Sequence, residues 1–298
     1  MPREGASSGR RRGVWRAVFW IALAVFVCAL AALGYIGYTY YHADQEYQDV
    51  AGQAFDSAAA EDAAASSAQD AGDAARLGEL TVDWDYLKSI NPDVVAWVYI
   101  PGTRVNYPVV QGADNDVYLH RSFSGETGFA ARAGSIFMDA ANASDASDAN
   151  TVLYGHHMRD GSMFACLSND LANQGPFNEH RTVYVLTPTM NYRCQTFALV
   201  LTNGSDAIVQ TSFATPDALA AYVADKESRS VVEPAEGFPD PASISKLFTL
   251  ATCDYQESNG RAVLFAQVVD SAAPNTHNGE VIGTEDETAL SDAVKEGA

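Results

Sequence analysis

The sequence predicts a mainly β domain that follows one transmembrane helix. Between residues 79 and 270, eight short runs rich in β-branched and aromatic residues are separated by turn signals such as Pro-Gly and Asn-Gly. Ahead of this region, residues 17–41 contain no charged side chain. The segments on either side of residues 79–270, which are 42–78 and 271–298, are mostly polar and acidic. Only residues 79–270 therefore have the composition of a folded domain.

The first 41 residues predict a membrane anchor with a cytoplasmic N-terminus. The uncharged run 17–41 is long enough to cross a hydrocarbon layer of about 30 Å as a helix. It ends in tyrosines, which suit the membrane interface. A cleaved signal peptide is the alternative, but its apolar core would be shorter, about 7–15 residues. The basic segment 1–16 contains four arginines directly before the run, and the positive-inside rule places them in the cytoplasm. Everything after Tyr41 is then extracellular.

The charge of the chain excludes one class of partner. The formal net charge is −20, and beyond residue 16 there are 13 basic and 37 acidic residues, a charge of −24. Nucleic acid is therefore not an expected partner, because binding it requires cations that neutralise phosphates. An acidic surface keeps an exported domain soluble.

The segments that flank the domain have a low-complexity composition. Residues 42–78 are predicted to form an acidic, alanine-rich stalk, and within it residues 51–75 have almost nothing to bury. A frayed helix is the alternative for this stalk, since alanine favours helix. Residues 271–298 are predicted to be a disordered acidic tail.

The elements of the domain follow from its patterns. The stretch "VDWDYLKSINPDV" predicts a short amphipathic helix that stops before Pro92. About eight strands with few helices predict a closed barrel or a sandwich. The strand runs are "VVAWVYI", "YPVVQ", "GSIFMD", "NTVLYG", "RTVYVLTP", "RCQTFALVLTN", "SKLFTLATC" and "RAVLFAQVV".

One longer helix interrupts the strand series at "TPDALAAYVADKES", residues 215–228. Thr215 is suited to cap it and Pro216 to occupy its first turn. Its apolar side chains at Leu219, Tyr222 and Val223 fall on one face, which should pack against the domain.

The cysteines suggest one reactive thiol. Cys28 lies in the predicted membrane span, whereas Cys166, Cys194 and Cys253 are extracellular. Three is an odd number, so one thiol stays free or pairs between chains; a disulfide between Cys166 and Cys194 is one arrangement. Cys253 lies at the exit of a strand run, either as a small buried hydrophobe or as a nucleophile.

Two further groups favour the nucleophile. The strand run before Gly155 is followed at once by His156 and His157. Alternation along the last two strand runs places Cys253 and Arg261 near each other if residues 254–260 form a hairpin loop. In an acyl-transfer site the cysteine attacks a carbonyl, a histidine protonates the leaving amine, and an arginine stabilises the oxyanion or holds the substrate.

These residues resemble the sortases, membrane-anchored transpeptidases of Gram-positive bacteria. "TLATC" at 249–253 matches their TLxTC signature, "YGHHM" matches their Gly-His segment, and Arg261 falls at the family arginine. "INPDVVAWVYIPGTRVNYPVVQGADNDVYLHRSF", "GSIFMD", "HHMRDGSMF" and the helix at 215–228 are similar to class B segments. Ala96 departs from the class, in which glycine is common. The resemblance covers roughly residues 80–270 and implies an eight-stranded closed barrel with peripheral helices.

The resemblance implies a role for six residues. Cys253 is the nucleophile, His156 the general acid/base, and Arg261 the oxyanion or substrate clamp. His156 rather than His157 is chosen because the family histidine directly follows the glycine, and His157 is expected to face the loop or solvent. Thr252, Asn115 and Leu119 are expected to contact the substrate.

The implied substrate is a C-terminal sorting signal on an exported protein, cleaved at a Thr–X bond through a thioacyl enzyme. An amine, from a cell-wall peptide or a lysine of a pilin, then resolves the intermediate. No metal or other cofactor is expected, because His156 and His157 are adjacent rather than at ligand spacing. A cysteine peptidase that releases its product to water and an anchored, non-catalytic binding module are the two alternatives.

Overall fold

The computed structural model describes residues 8–66, 73–128, 131–254 and 260–275. Within these ranges the backbone alone is described at residues 8–14, 40, 43, 65–66, 73–75, 253 and 254. Residues 1–7 of the predicted cytoplasmic segment and residues 276–298 of the predicted tail lie outside the described ranges.

The central feature is a closed barrel of eight strands. The strands are β1 Val94–Tyr99, β2 Asn106–Val110, β3 Ile136–Met138, β4 Asn150–Tyr154, β5 Thr182–Leu186, β6 Asn191–Asn203, β7 Leu247–Asp254 and β8 Gly260–Ala272. Their order around the barrel is β1-β2-β3-β4-β7-β8-β6-β5. Neighbours are antiparallel except for the β2–β3 and β4–β7 pairs, which are parallel. Each strand overlaps one predicted run, which confirms the predicted strands. Because the strand order closes on itself, the predicted closed barrel is confirmed and the sandwich is excluded.

The helices lie outside the barrel. They are α1 Ser8–Ala54, α2 Ser57–Ser66, α3 Asp73–Glu79, α4 Trp84–Ile90, α5 Cys166–Asn169, α6 Gln174–Glu179 and α7 Pro216–Arg229. Two short 3-10 turns cover Val117–Leu119 and Pro241–Ser243. α4 is capped by Asp83, whose carboxylate accepts from the Tyr86 amide at 2.8 Å, and α7 by Thr215, whose hydroxyl accepts from the Ala218 amide at 3.1 Å. The sequence patterns predicted both of these helices but not the short α5 and α6.

The part of α1 from Trp15 to Tyr38 is mostly apolar and mostly exposed. This helix is the candidate for a membrane span among the described residues, and its most apolar stretch is not buried. Trp15 is 73% exposed and Phe19 61% exposed, as expected of side chains that face lipid. Most of the predicted span 17–41 lies in this exposed part, but Thr39 is only 9% exposed, and Leu33 and Ile36 line a cavity together with residues of the domain.

The predicted stalk differs from the expectation of a solvated spacer. α1 continues to Ala54, and its last turns bury Tyr47, Val50, Ala51 and Ala54 against the barrel. These positions have the spacing i, i+3, i+4 and i+7, which places them on one helical face. Phe55 follows and packs its ring 5.7 Å from Trp97 of β1. This apolar stripe is the physical reason that the segment docks instead of extending. The acidic, alanine-rich composition of the whole segment does not reveal it.

The stretch on the other side of the stalk also joins the domain. Residues 57–66 are helical, and Glu61 of α2 accepts a hydrogen bond from the Tyr99 hydroxyl at 2.8 Å. Leu77 of α3 is buried, and its carbonyl accepts from the Asn191 side chain at 2.8 Å. The folded unit therefore begins before residue 79. At the other end, β8 extends two residues into the predicted tail, and the Asn275 amide donates to the Gly78 carbonyl at 2.7 Å.

Candidate active site

Three predicted site residues meet where β4, β7 and β8 end. β4 and β7 run parallel with Tyr154 opposite Ala251, and the Gly155 amide donates to the Ala251 carbonyl at 3.2 Å. Continuing this register by two residues brings His156 level with Cys253. On the other side of β7, Cys253 pairs with Arg261 of β8. Because neighbouring strands lie about 4.8 Å apart, the three residues stand side by side at one end of the barrel. The side chain of Cys253 and residues 255–259 lie outside what the structure describes.

A cavity of about 340 Å³ opens at these strand ends. It is lined by every predicted site residue whose side chain is described: Asn115, Leu119, His156, Thr252 and Arg261. Phe137, Tyr154, Ala251 and Val263 add apolar surface to its floor. A mostly apolar groove with a few converging polar groups is typical of a ligand-binding site.

Gly155 lets the chain turn from β4 into the cavity. A side-chain carbon at this position would lie 2.4 Å from the Cδ1 atom of Ile136 and 2.8 Å from the ring of Phe164, closer than such atoms can approach. Only glycine fits here, which is the structural reason that glycine precedes the histidine in the "YGHHM" stretch.

The His156 ring is held by one strong hydrogen bond. Its Nε2 atom lies 2.7 Å from the Leu119 carbonyl oxygen. A carbonyl only accepts, so Nε2 carries the proton and Nδ1 is the nitrogen that can exchange one. Burial lowers the pKa of His156 below the ordinary value of 6.5, and the nearby His120 lowers it further, whereas the bond to Leu119 opposes both effects. The neutral ring is therefore the main form at neutral pH.

Arg261 is half-buried in the cavity wall. Its Nη1 atom donates to the Gly260 carbonyl at 3.0 Å. A guanidinium carries five N–H donors in a planar fork, so one bond to the backbone leaves others to bind an anionic or carbonyl oxygen. The groove therefore holds an imidazole and a guanidinium beside the end of the strand that carries Cys253.

Comparison with known proteins identifies the arrangement. A family model described as the Sortase domain matches residues 98–269, more than half of the chain. The chain belongs to the sortase family. It is 33% identical over 214 residues to sortase B of Listeria monocytogenes, covering 70% of this chain and 83% of that one. It is 31% identical over 188 residues to sortase B of Staphylococcus aureus, covering 62% and 74%.

Solved structures agree with the sequence relatives. The structure of Clostridium perfringens sortase B matches with a TM-score of 0.57 and 34% identity over 62% of this chain and 99% of that one. A Staphylococcus aureus sortase B–substrate complex matches with a TM-score of 0.56 and 31% identity over 62% and 84%. This sortase is therefore of the class B type, and its enzyme class is that of the cysteine transpeptidases.

The second histidine of this sortase is placed differently from expectation. His157 was expected to face the loop or solvent, but it is 7% exposed and its Nε2 atom lies 3.0 Å from the Asn169 side-chain oxygen. It also pairs with Met163 across a short bridge. The expectation failed because the chain after His157 folds back over it. Of the two histidines, only His156 lines the groove with Arg261, whereas both line a second cavity beside the anchor helix.

Two predicted substrate contacts are fixed by the fold in different ways. The Asn115 amide group donates to Asp139 at 3.1 Å, and its oxygen accepts from the Ala140 amide at 2.8 Å, so the side chain has one orientation. The Thr252 hydroxyl is buried in the groove wall and has no hydrogen-bond partner among the described residues. A buried polar group without a partner is uncommon in folded proteins.

One wall of the groove was not predicted. Residue 204 and residues 206–209, in the loop that follows β6, also line the cavity. Asp206 forms an ion pair with Arg229 at the end of α7, and it accepts from the Thr202 hydroxyl at 2.7 Å. The Ile208 carbonyl accepts from the Tyr222 hydroxyl of α7 at 2.8 Å. No sequence signal distinguishes this loop from an ordinary turn, because its role depends on where α7 packs.

The remaining thiols are separate from the groove. Cys166 and Cys194 are both free and buried, so the disulfide that the sequence left open is not formed. Burial raises the pKa of Cys166 to about 12 and also raises the pKa of Cys194, which makes both poor nucleophiles. Among the described residues, no three His, Cys, Asp or Glu side chains are grouped so as to hold a metal ion.

Proposed function

We propose that this sortase is a membrane-anchored transpeptidase that cleaves a sorting signal through Cys253 and transfers the product to an amine. The observation that carries the proposal is the strand register, which aligns His156, Cys253 and Arg261 at the ends of three neighbouring strands. The described side chains of this set, those of His156 and Arg261, line the same groove.

In the first half-reaction, His156 acts at its Nδ1 atom. A free thiol has a pKa near 8.5, so Cys253 needs a base at neutral pH. The neutral His156 ring takes the thiol proton, and the thiolate attacks the carbonyl carbon of the Thr–X bond. The resulting imidazolium gives its proton to the leaving amine as the C–N bond breaks, which leaves a thioacyl enzyme. The bond from Nε2 to Leu119 keeps the ring in the required tautomer throughout.

Arg261 stabilises the negative charge that develops on the carbonyl oxygen. The backbone of Arg261 pairs directly with that of Cys253 in the β7–β8 pair. Its guanidinium can therefore reach the same carbonyl that the thiol attacks. Donors that are already in place contribute most when charge develops in a groove that excludes water.

The sorting signal lies along the groove. Thr252 offers an unsatisfied hydroxyl, Asn115 a fixed amide, and Leu119 an apolar contact. A neighbour of known structure, sortase B of Staphylococcus aureus, has been solved as a complex with substrate, and the same fold in this chain supports an equivalent use of the groove.

The anchor helix keeps the enzyme where exported substrates emerge. The exposed apolar part of α1 spans the membrane, the arginines before it stay in the cytoplasm, and the barrel is extracellular. In the second half-reaction an amine from a cell-wall peptide or a pilin lysine attacks the thioacyl carbon. His156 accepts the proton of this amine, the C–S bond breaks, and the imidazolium returns the proton to the departing Cys253 thiolate.

Mass spectrometry of the full chain with candidate sorting peptides tests the proposal. With peptide alone, the enzyme mass should increase by the mass of the acyl fragment, and adding an amine should discharge it to an amide product. Cys253→Ala should form no adduct, and Cys166→Ala is the matched control that should form it normally. Release of the free acid in the presence of excess amine would instead identify a peptidase. A Cys253 thiol unreactive to peptides and to small electrophiles would identify a binding module.

The orientation has its own test. Protease added to intact cells should digest the barrel and spare the basic N-terminal segment. Protection of residues 80–270 in intact cells would contradict the topology.

A further inference from the structure

The carbonyl that holds His156 is itself packed against a glycine. Leu119 supplies this carbonyl, and Gly134 lies directly beside the bond. A side-chain carbon on Gly134 would stand 2.8 Å from the Leu119 oxygen and 3.0 Å from the Cδ2 atom of His156. Gly134 has a φ of +57°, a conformation that favours glycine. The next residue, Ser135, donates its amide to the Tyr118 carbonyl at 3.0 Å. Any shift of Gly134 is therefore transmitted to the Leu119–His156 bond.

A tyrosine of the anchor helix is hydrogen-bonded to this glycine. The Tyr47 hydroxyl, at the end of α1, donates to the Gly134 carbonyl at 2.7 Å and accepts from the Phe123 amide at 3.2 Å. Tyr47 is 4% exposed, and its ring packs edge-on against Tyr107 at 5.4 Å. Phe123 follows Leu119 by four positions in the chain and Gly134 lies beside the Leu119 carbonyl, so one buried hydroxyl binds the backbone of both segments.

We propose that Tyr47 is a positioning residue for His156, which holds the Leu119 carbonyl in place through Gly134 and Phe123. The proposal rests on the proposed role of His156 as the general acid/base. Since α1 is one continuous helix from the apolar span to Ala54, the last turns of the anchor form part of the active-site frame. The anchor therefore contributes to the geometry of the reaction as well as to the location of the enzyme.

The charges around His156 do not change when the Tyr47 hydroxyl is removed. Arg261 and Asp206 share the groove with the ring. On its other side a second cavity contains the ionisable side chains of His120, His157, Arg132, Arg159 and Asp160. Cys253 is the remaining titratable neighbour, on β7. Because all of these residues stay in a Tyr47→Phe variant, a change in the titration of His156 reports its hydrogen bond to Leu119.

The decisive experiment is an NMR titration of the full chain in detergent micelles with labelled histidine rings. The signal that is lost in the His156→Gln variant is assigned to His156. The bond to Leu119 favours the charged ring, so Tyr47→Phe should move the His156 titration to lower pH. Transpeptidation, measured as kcat/KM, should fall about tenfold, as expected for a displaced catalytic group. The Phe ring keeps the packing on Tyr107, and all titrations are recorded below the melting temperature of the least stable variant.

Tyr99→Phe is the matched control. It removes the hydroxyl of a tyrosine that is 3% exposed, and the partner of this hydroxyl is Glu61 of α2 rather than the backbone near Leu119. Its His156 titration and its activity should match the wild type. The proposal is overturned if Tyr47→Phe leaves the His156 titration unchanged, or if Tyr99→Phe moves it equally. A wild-type chain that titrates as expected but shows no transpeptidation would refute the proposed function while still deciding the role of Tyr47.

Discussion

Cys253 and Arg261 are direct partners in the antiparallel pair of β7 and β8. The pairing of β7 with β8 fixes the position of both residues along the strands. The parallel pairing of β4 with β7 brings His156, just beyond the end of β4, to the same position. The site is thus assembled from strand ends, which hold side chains more rigidly than loops do.

Arg261→Lys should lower kcat by about 10²-fold, because lysine keeps the charge but loses the planar fork of donors that can hold an oxyanion. Initial rates of amide formation with saturating sorting peptide measure the effect. Arg193→Lys is the control, since Arg193 lies toward the other end of the β6–β8 pair and is 3.8 Å from Asp270. Full activity in Arg261→Lys would show that only the charge at this position is needed.

The two adjacent histidines should respond differently to substitution. His156→Gln should lower transpeptidation by about 10²–10⁴-fold, the usual loss when a general acid/base is removed. His157→Gln should keep most of the activity and lower the melting temperature instead, because His157 is buried and bonded to Asn169. Rates and thermal melts of both variants measure this difference. An inactive His157→Gln beside an active His156→Gln would reverse the assignment.

The pH dependence of wild-type activity should reflect the environment of His156. Burial lowers the pKa of this ring, so it stays neutral at more acidic pH than a free histidine does. The acidic limb of kcat/KM should therefore have its midpoint below pH 6.5, the ordinary value. A pH–rate profile checks this, and a midpoint above 6.5 would mean that a neighbouring negative charge, such as a Cys253 thiolate, outweighs burial.

The loop after β6 should affect substrate binding more than chemistry. Asp206→Ala breaks the ion pair with Arg229, which ties the groove wall to α7, and should raise KM for the sorting peptide by up to about fivefold with kcat nearly unchanged. Arg229→Ala should have a similar effect, and the double variant should be no worse than either single one. Additive losses would show that the two residues act independently.

The last turns of α1 should stabilise the barrel. A chain that begins at Ala43 keeps Tyr47, Val50 and Phe55, whereas one that begins at Arg76 loses them. The shorter chain should melt about 10 °C lower, because several large apolar side chains no longer cover the barrel. In the full chain, Phe55→Ala should also lower the melting temperature, and Phe19→Ala, at an exposed position of α1, should not. Equal melting of the two truncated chains would show that the docked segment is dispensable.

Sequence patterns were sufficient for the strands and for part of the site, whereas the choice of a closed barrel over a sandwich needed the resemblance to a family. Alternation with a period of two predicted each strand, and the cap at Thr215 with Pro216 predicted α7, since these signals depend on residues near in the chain. The proximity of Cys253 and Arg261 also follows from sequence, because a hairpin joins strands that are adjacent in the chain. Choosing His156 needed the resemblance to a family.

Only the tertiary structure decided which distant segments meet. The β4–β7 pairing joins residues nearly a hundred positions apart, and no local pattern specifies it. The burial of His157, the groove wall at Asp206, and the reach of Tyr47 to Gly134 depend in the same way on contacts between remote segments. Local periodicity determines which face of an element is apolar, whereas the surface that covers this face is chosen by the packing of the whole chain.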